Sequence, residues 1–435
     1  MLVRPALALE IVVAFVACGG LALGGCRSQP AQPDAGGSGA EARGGAASPQ
    51  AQASRRRPRE EEGRLEREVP PRELSDYDRA MIEGDAAIYS GRFDRAREQY
   101  LRAMELAPDR TSAALGALRT MAVAGHGEER AGIEQRIQLK IAEYRERPET
   151  IGASWLLSAR LAIALLEAGE AIDRARLAVE KLPELGVAWR VLGEAAMINE
   201  QWGQAVDAFR RAAALGLGAQ SGTWERLADA LDEQGEQAQA AQAARRALEL
   251  TGGDRHARRR RLNLLAAIEH HAGDLSAAQR AVDNALALGA DDPATLHNVG
   301  VIAEARGDQE AALRNYRLAL TQVPVPMTAW RMGHLLLELD RRQEALEAFT
   351  QAAAHLDRWT WPRSTRWWPA YDIGKLYAHA SKLRDSIGWF EDALREARTA
   401  RAIREVQSWL AFARVQSDPD APMPQPPPLD PMEIP

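Results

Sequence analysis

Cysteine is almost absent from this chain: its 435 residues include two, Cys18 and Cys26. A folded domain beyond residue 26 therefore has neither a disulfide framework nor a thiolate-based metal site. Lysine is nearly as rare and occurs only at Lys140, Lys181, Lys375 and Lys382, so arginine carries the positive charge. The formal net charge of −6 gives no basic surplus of the kind that nucleic acid selects. Between residues 199 and 298 the one proline is Pro293, which leaves that stretch free to be helical. Catalytic motifs are missing too. There is no Gly-rich phosphate loop, no Gly-x-Ser-x-Gly elbow and no His-Glu-x-x-His. His270 and His271 are adjacent, so on a helix they diverge, which predicts two exposed histidines and no shared metal. Asp229, Asp232 and Glu233 fall on one helix face and read as a solvated acidic surface. The expectation is a non-enzyme with no cofactor, no metal and no small-molecule substrate.

What is present begins with the amino terminus. Arg4 precedes a short apolar run over residues 11–23, and Leu23-Gly24-Gly25-Cys26 follows. This resembles the lipobox of bacterial lipoproteins, in which a signal peptide is removed just before an acylated cysteine. The resemblance implies a signal peptide over 1–25, a lipid anchor on Cys26 and, because Arg27 rather than Asp follows, the periplasmic face of the outer membrane. The rival is an uncleaved signal anchor in the inner membrane, although the apolar run is shorter than the roughly 20 residues that span a bilayer. Residues 26–74 are rich in Gly, Ala, Pro and Ser and lack aromatics, the composition of a tether that buries too little to fold.

Beyond the tether, small residues recur at one interval. Ala205, Ala240, Ala278, Ala312, Ala345 and Ser386 are separated by 35, 38, 34, 33 and 41 residues. Each follows a turn and precedes a bulky residue and a second small one, as in Gly307, Ala312, Tyr316 and Ala319, or Gly91, Ala96, Tyr100 and Ala103. A period of this size signals stacked helical hairpins, each burying its apolar face against the next. Residues 75–185 fit the pattern loosely and 186–396 closely. An amphipathic helix over 397–416, with Val406, Trp409 and Leu410, reads as a cap on the last repeat, and 417–435 as a Pro-rich tail.

The phrase of aromatic or Leu, Leu, Gly or Ala, large apolar, Ala, aromatic and Ala resembles the tetratricopeptide repeat over roughly residues 77–395. The resemblance implies an all-α, right-handed α-solenoid of about eight to nine hairpins with a C-terminal capping helix. It also implies a protein or peptide partner held on the concave face, which the first helix of each hairpin lines. Mapped onto this chain, that face includes Arg190, Glu194, Glu225, Asp229 and Asn263 toward the amino-terminal side. The favoured groove is carboxyl-terminal: His297, Asn298, Trp330, Arg331, Trp368, Tyr371 and Lys375, which mix aromatics, amides and cations. Two further stretches are candidate surface patches. One is Arg258, Arg259, Arg260 and Arg261 at the start of a helix, where cations oppose the dipole and call for nearby acids such as Glu225, Asp229 or Asp232 one repeat earlier. The other is Trp359 and Trp361, beside Trp367 and Trp368 in the longest step of the ladder, read either as binding anchors or as rings packed over the end of the solenoid. The expected function is a lipid-anchored scaffold that binds another protein, with assembly of an envelope complex implied. A cell-wall enzyme accessory or hydrolase is the alternative from another class.

Overall fold

The computed structural model describes residues 75–89, 91–124, 127–359 and 363–417. The signal peptide, Cys26, the tether, Trp361 and the tail lie outside the described residues. Nineteen α-helices and no strand occur among the described residues. Eighteen of them pair in chain order into nine antiparallel hairpins. The first four are α1 (Asp76–Tyr89) with α2 (Phe93–Leu106), α3 (Thr111–Ala124) with α4 (Gly127–Arg145), α5 (Ile151–Ala164) with α6 (Ala168–Lys181), and α7 (Gly186–Ile198) with α8 (Trp202–Ala214). Then follow α9 (Ser221–Glu233) with α10 (Gln237–Glu249), α11 (Arg255–His271) with α12 (Leu275–Leu288), and α13 (Pro293–Ala305) with α14 (Gln309–Gln322). The last two are α15 (Pro326–Glu338) with α16 (Arg342–Ala354) and α17 (Trp368–His379) with α18 (Leu383–Glu396), closed off by α19 (Ala400–Gln416).

One packing rule builds most of the hairpins. A glycine on the first helix faces an aromatic ring sixteen residues later on the second: Gly84 and Tyr100, Gly193 and Phe209, Gly300 and Tyr316, Gly333 and Phe349, Gly374 and Phe390. A methyl group on Gly193 would lie 2.7 Å from the Phe209 ring, so the ring fits only because the backbone is bare there. Where the second helix carries a smaller side chain, the first carries alanine: Ala159 with Ala175, Ala228 with Ala244, Ala266 with Val282, all buried. In these pairs a β-carbon on the first helix fits because the second helix carries no ring at the crossing. The second hairpin breaks the rule. Its Gly116 instead receives Tyr100 of the first hairpin, at 2.7 Å from an added methyl.

The hairpin turns share a second rule. The residue that reverses the chain has a left-handed backbone, supplied by Gly91, Gly235, Gly273 and Gly307 but also by Leu166, Glu200, Asp340 and Ser381. Capping follows where the sequence permits it: Asp274, Asp292 and Asp308 each accept a backbone N–H from the first turn of the next helix. No described helix is long and apolar enough to cross a membrane.

Within this unit the solenoid meets itself. The helix α1 packs on α11, and Ala294 at the start of α13 belongs to the same apolar cluster as the core of the first two hairpins. The turn residue Gly91 faces the Val323 side chain after α14.

Candidate functional site

The first helices of successive hairpins (α7, α9, α11, α13, α15, α17) bring the predicted concave residues into one continuous lining. His297, Asn298, Trp330, Arg331, Trp368, Tyr371 and Lys375 are all buried, as are Arg190, Glu194, Glu225, Asp229 and Asn263. They line an interior rather than an open groove.

At the carboxyl-terminal end of this lining the tryptophans form a packed cluster. The Trp330 and Trp368 rings stack with centroids 4.6 Å apart, and Trp359 meets both edge-on at 6.3 Å. Asp372, which sequence reasoning missed, is the polar hub beneath them. Its carboxylate accepts from Trp330 Nε1 at 2.9 Å, lies 3.0 Å from His334 Nε2, and pairs with Lys375 Nζ at 2.9 Å. Burial would raise the Asp372 carboxyl, but Lys375 and His334 together hold it below the usual carboxylate range. The Lys375 ammonium also sits 4.5 Å over the Tyr371 ring.

The middle of the lining is a ladder of amides and hydroxyls. Asn298 donates to the Asn263 carbonyl at 2.9 Å, Asn263 donates to Thr295 Oγ1 at 2.9 Å, and His297 Nδ1 lies 2.9 Å from Thr328 Oγ1. Burial and the Arg331 charge depress His297 to about 3, so it is neutral near pH 7. Arg331 in turn pairs with Glu304 at 3.2 Å.

The amino-terminal part is ionic. Arg119, Arg160, Arg190 and Arg226, from four successive hairpins, all act on the Glu194 carboxylate, yet burial still raises its pKa. Asp229 is raised further by burial and by Glu225 and Asp232, against the pull of Arg226 at 3.3 Å. Glu225 goes the other way: burial is outweighed by Arg260 at 2.7 Å and Arg261 at 3.0 Å, and it is lowered.

Four expectations of exposure are corrected here. Of the predicted arginine patch only Arg258 is exposed; Arg259, Arg260 and Arg261 are buried. Glu225, one hairpin earlier, draws in Arg260 and Arg261, and Asp292, one hairpin later, takes Arg259 at 3.1 Å. The opposed dipole is answered by Asp254, which accepts from the His256 and Ala257 amides at the start of α11. Trp359 is likewise interior. Nor are the paired histidines exposed: His271 Nδ1 lies 2.8 Å from Asp232, and burial with Arg331 nearby lowers His270 to about 4. The acids read as a solvated face are buried or half-buried instead, because α9 faces inward. No group of metal-ligating side chains occurs among the described residues.

The fold and lining define a helical-repeat scaffold, a class whose work is interaction with other proteins. The tetratricopeptide-repeat family model matches residues 75–110, the first hairpin, and the same hairpin recurs through the array. Residues 75–110 thus carry a tetratricopeptide repeat, within an all-α solenoid of hairpins of the same kind. Among solved structures it is similar to the APC/C hetero-tetramer Cut9–Hcn1, with 18% identity and a TM-score of 0.43 over 77% of this chain and 75% of that one. It is also similar to yeast Tom70, with 14% identity and a TM-score of 0.47 over 78% and 90%. A third is the human IFIT1 dimer with PPP-AAAA, at 15% identity and a TM-score of 0.47 over 79% and 87%. Likeness of this degree says nothing about what the present chain binds. No curated protein matches the sequence.

Proposed function

We propose that this chain is a lipid-anchored scaffold at the periplasmic face of the outer membrane, which binds another protein or peptide through its repeat superhelix during assembly of an envelope complex. The repeat array carries the binding half of this reading: six successive first helices present one unbroken lining of amides, cations and aromatics, the chemistry that holds an extended chain. The Leu23-Gly24-Gly25-Cys26 motif supports the anchor. Acylation at Cys26 followed by about 48 tether residues would let the repeats range roughly 35–40 Å from the bilayer, close enough to raise the effective concentration of a membrane-bound partner.

The test has two arms on the full chain. Labelled palmitate should enter the wild-type protein and not the Cys26→Ala variant, and affinity purification from envelope fractions should recover one protein in stoichiometric amount. Label that persists in Cys26→Ala overturns the anchor; recovery of no stoichiometric partner overturns the scaffold.

A further inference from the structure

The connection between α16 and α17, residues 355–367, is the longest in the array. Its described parts reach across the solenoid instead of looping into solvent. In the 3₁₀ turn Leu356–Arg358, Arg358 Nη1 donates to the Gly91 carbonyl at 3.1 Å, and its guanidinium lies 5.6 Å over the Phe93 ring. The same turn packs on α3. In the second turn, Arg363–Thr365, the Ser364 amide donates to Glu200 Oε1 at 3.0 Å. These partners lie 267 and 164 residues away in the chain, on the first and fourth hairpins. Between the turns, Trp359 is 2% exposed and bonds Thr365 Oγ1 at 3.1 Å, so the two halves brace each other.

The lining against which Trp359 packs, at Trp330 and Trp368, has the chemistry of a groove rather than a core along its length. Removing arginines and carboxylates from water is costly, and their mutual attraction offsets this only where hydrogen bonding is complete. Here it is not complete: Arg190 Nε and Glu194 Oε1 meet only as an ion pair at 3.9 Å, and neither they nor Asp232 Oδ1 has a hydrogen-bond partner among the described residues. Such atoms are satisfied by solvent or by a ligand when the face opens. The contacts that this connection adds to the closure, beside the packing of α1 on α11 and of Ala294 on the first hairpins, are slight by comparison with the continuous apolar seams between neighbouring hairpins. Each hydrogen bond contributes on the order of 1 kcal/mol, so their release is the opening of lowest cost.

We propose that residues 355–359 and 363–367 form an intramolecular latch that, together with the packing of α1 on α11, holds the concave face shut, and that a protein partner reaches this face only after the latch lets go. The partner clause rests on the scaffold reading above; the latch does not. Hydrogen exchange on the full chain tests it, with Glu200→Gly and Arg358→Gln combined. Glycine suits position 200, where φ is +55°. Peptides covering the α1–α2 turn, the α7–α8 turn and the α16–α17 connection should exchange roughly tenfold faster or more, with helical circular dichroism unchanged. Unaltered exchange in a folded variant overturns the latch. Should the variant lose its helices, the wild-type protein answers: in low denaturant these three segments should open together, before α9 through α14. Opening only with global unfolding overturns the proposal. Neither measurement contains a partner, so failed capture from a chain whose latch opens as expected counts against the scaffold reading alone.

Discussion

Glu233 shows how far a side chain here departs from its ordinary behaviour. Burial, together with the charges of Asp232, Asp229 and Glu200, raises its carboxyl from 4.5 to about 8. Below about pH 4.5 this group is protonated whether the chain is folded or not, and it has no effect on stability. As pH rises toward about 8 the unfolded chain releases the proton and the folded one keeps it, so stability falls across that window and levels off above it. Glu233→Gln should remove this part of the decline. Urea denaturation at about pH 5 and about pH 8 measures it, and an equally steep loss in the variant would show that Glu233 is not responsible. That Arg260 and Arg261 pair with an acid one hairpin back was legible in the sequence, because cations at a helix start need an answer and Glu225, Asp229 and Asp232 stand one repeat earlier; that Glu225 is the one was not. The burial of Asp229 and Asp232 was not. An acidic stripe on a helix looks the same whether its neighbour is water or another helix of the same chain.

Among the elements, the hairpin is the unit that the sequence specifies most fully. The sixteen-residue step from glycine to ring fixes which faces of the two helices meet, and the compensating pairs Ala228 with Ala244 and Ala266 with Val282 keep the same crossing with different side chains. Gly193→Ala should therefore press on Phe209 and lower stability by about 1–3 kcal/mol. Adding Phe209→Val to it, which copies the pair at 266 and 282, should cost less than the sum of the two single changes. Thermal melts of the three variants give the coupling; strict additivity would mean that the two positions do not share one space. The ladder of small residues exposed this periodicity directly, and the loose second repeat was visible for a physical reason: no aromatic stands sixteen residues after Gly116, and the ring it accepts comes from the hairpin before. The capping helix was legible from Val406, Trp409 and Leu410, which all become buried.

At the scale of the whole folded unit, the winding of the array decides what its lining can do. Each hairpin is rotated slightly against the last, and small rotations accumulate until distant hairpins meet. No local pattern encodes that sum, which is why the enclosure of the predicted groove residues went unseen. The one trace in the sequence was the 41-residue step before Ser386, which marks the connection that spans the closure. Of the two readings of Trp359, Trp367 and Trp368, binding anchors or packed rings, the packing is what is found: all three join the largest apolar cluster among the described residues, so truncating Trp368 would disturb the fold as much as any partner site.

The central claim is that the array closes upon itself, and a distance measurement addresses it most directly. Spin labels placed by Arg92→Cys and Asp357→Cys, with Cys18 and Cys26 replaced by Ser, flank the Arg358–Gly91 contact at exposed positions. Double electron–electron resonance should give one narrow, short distance set by the lengths of the two labels. A broad distribution at the separation of two ends of an open superhelix would contradict the account.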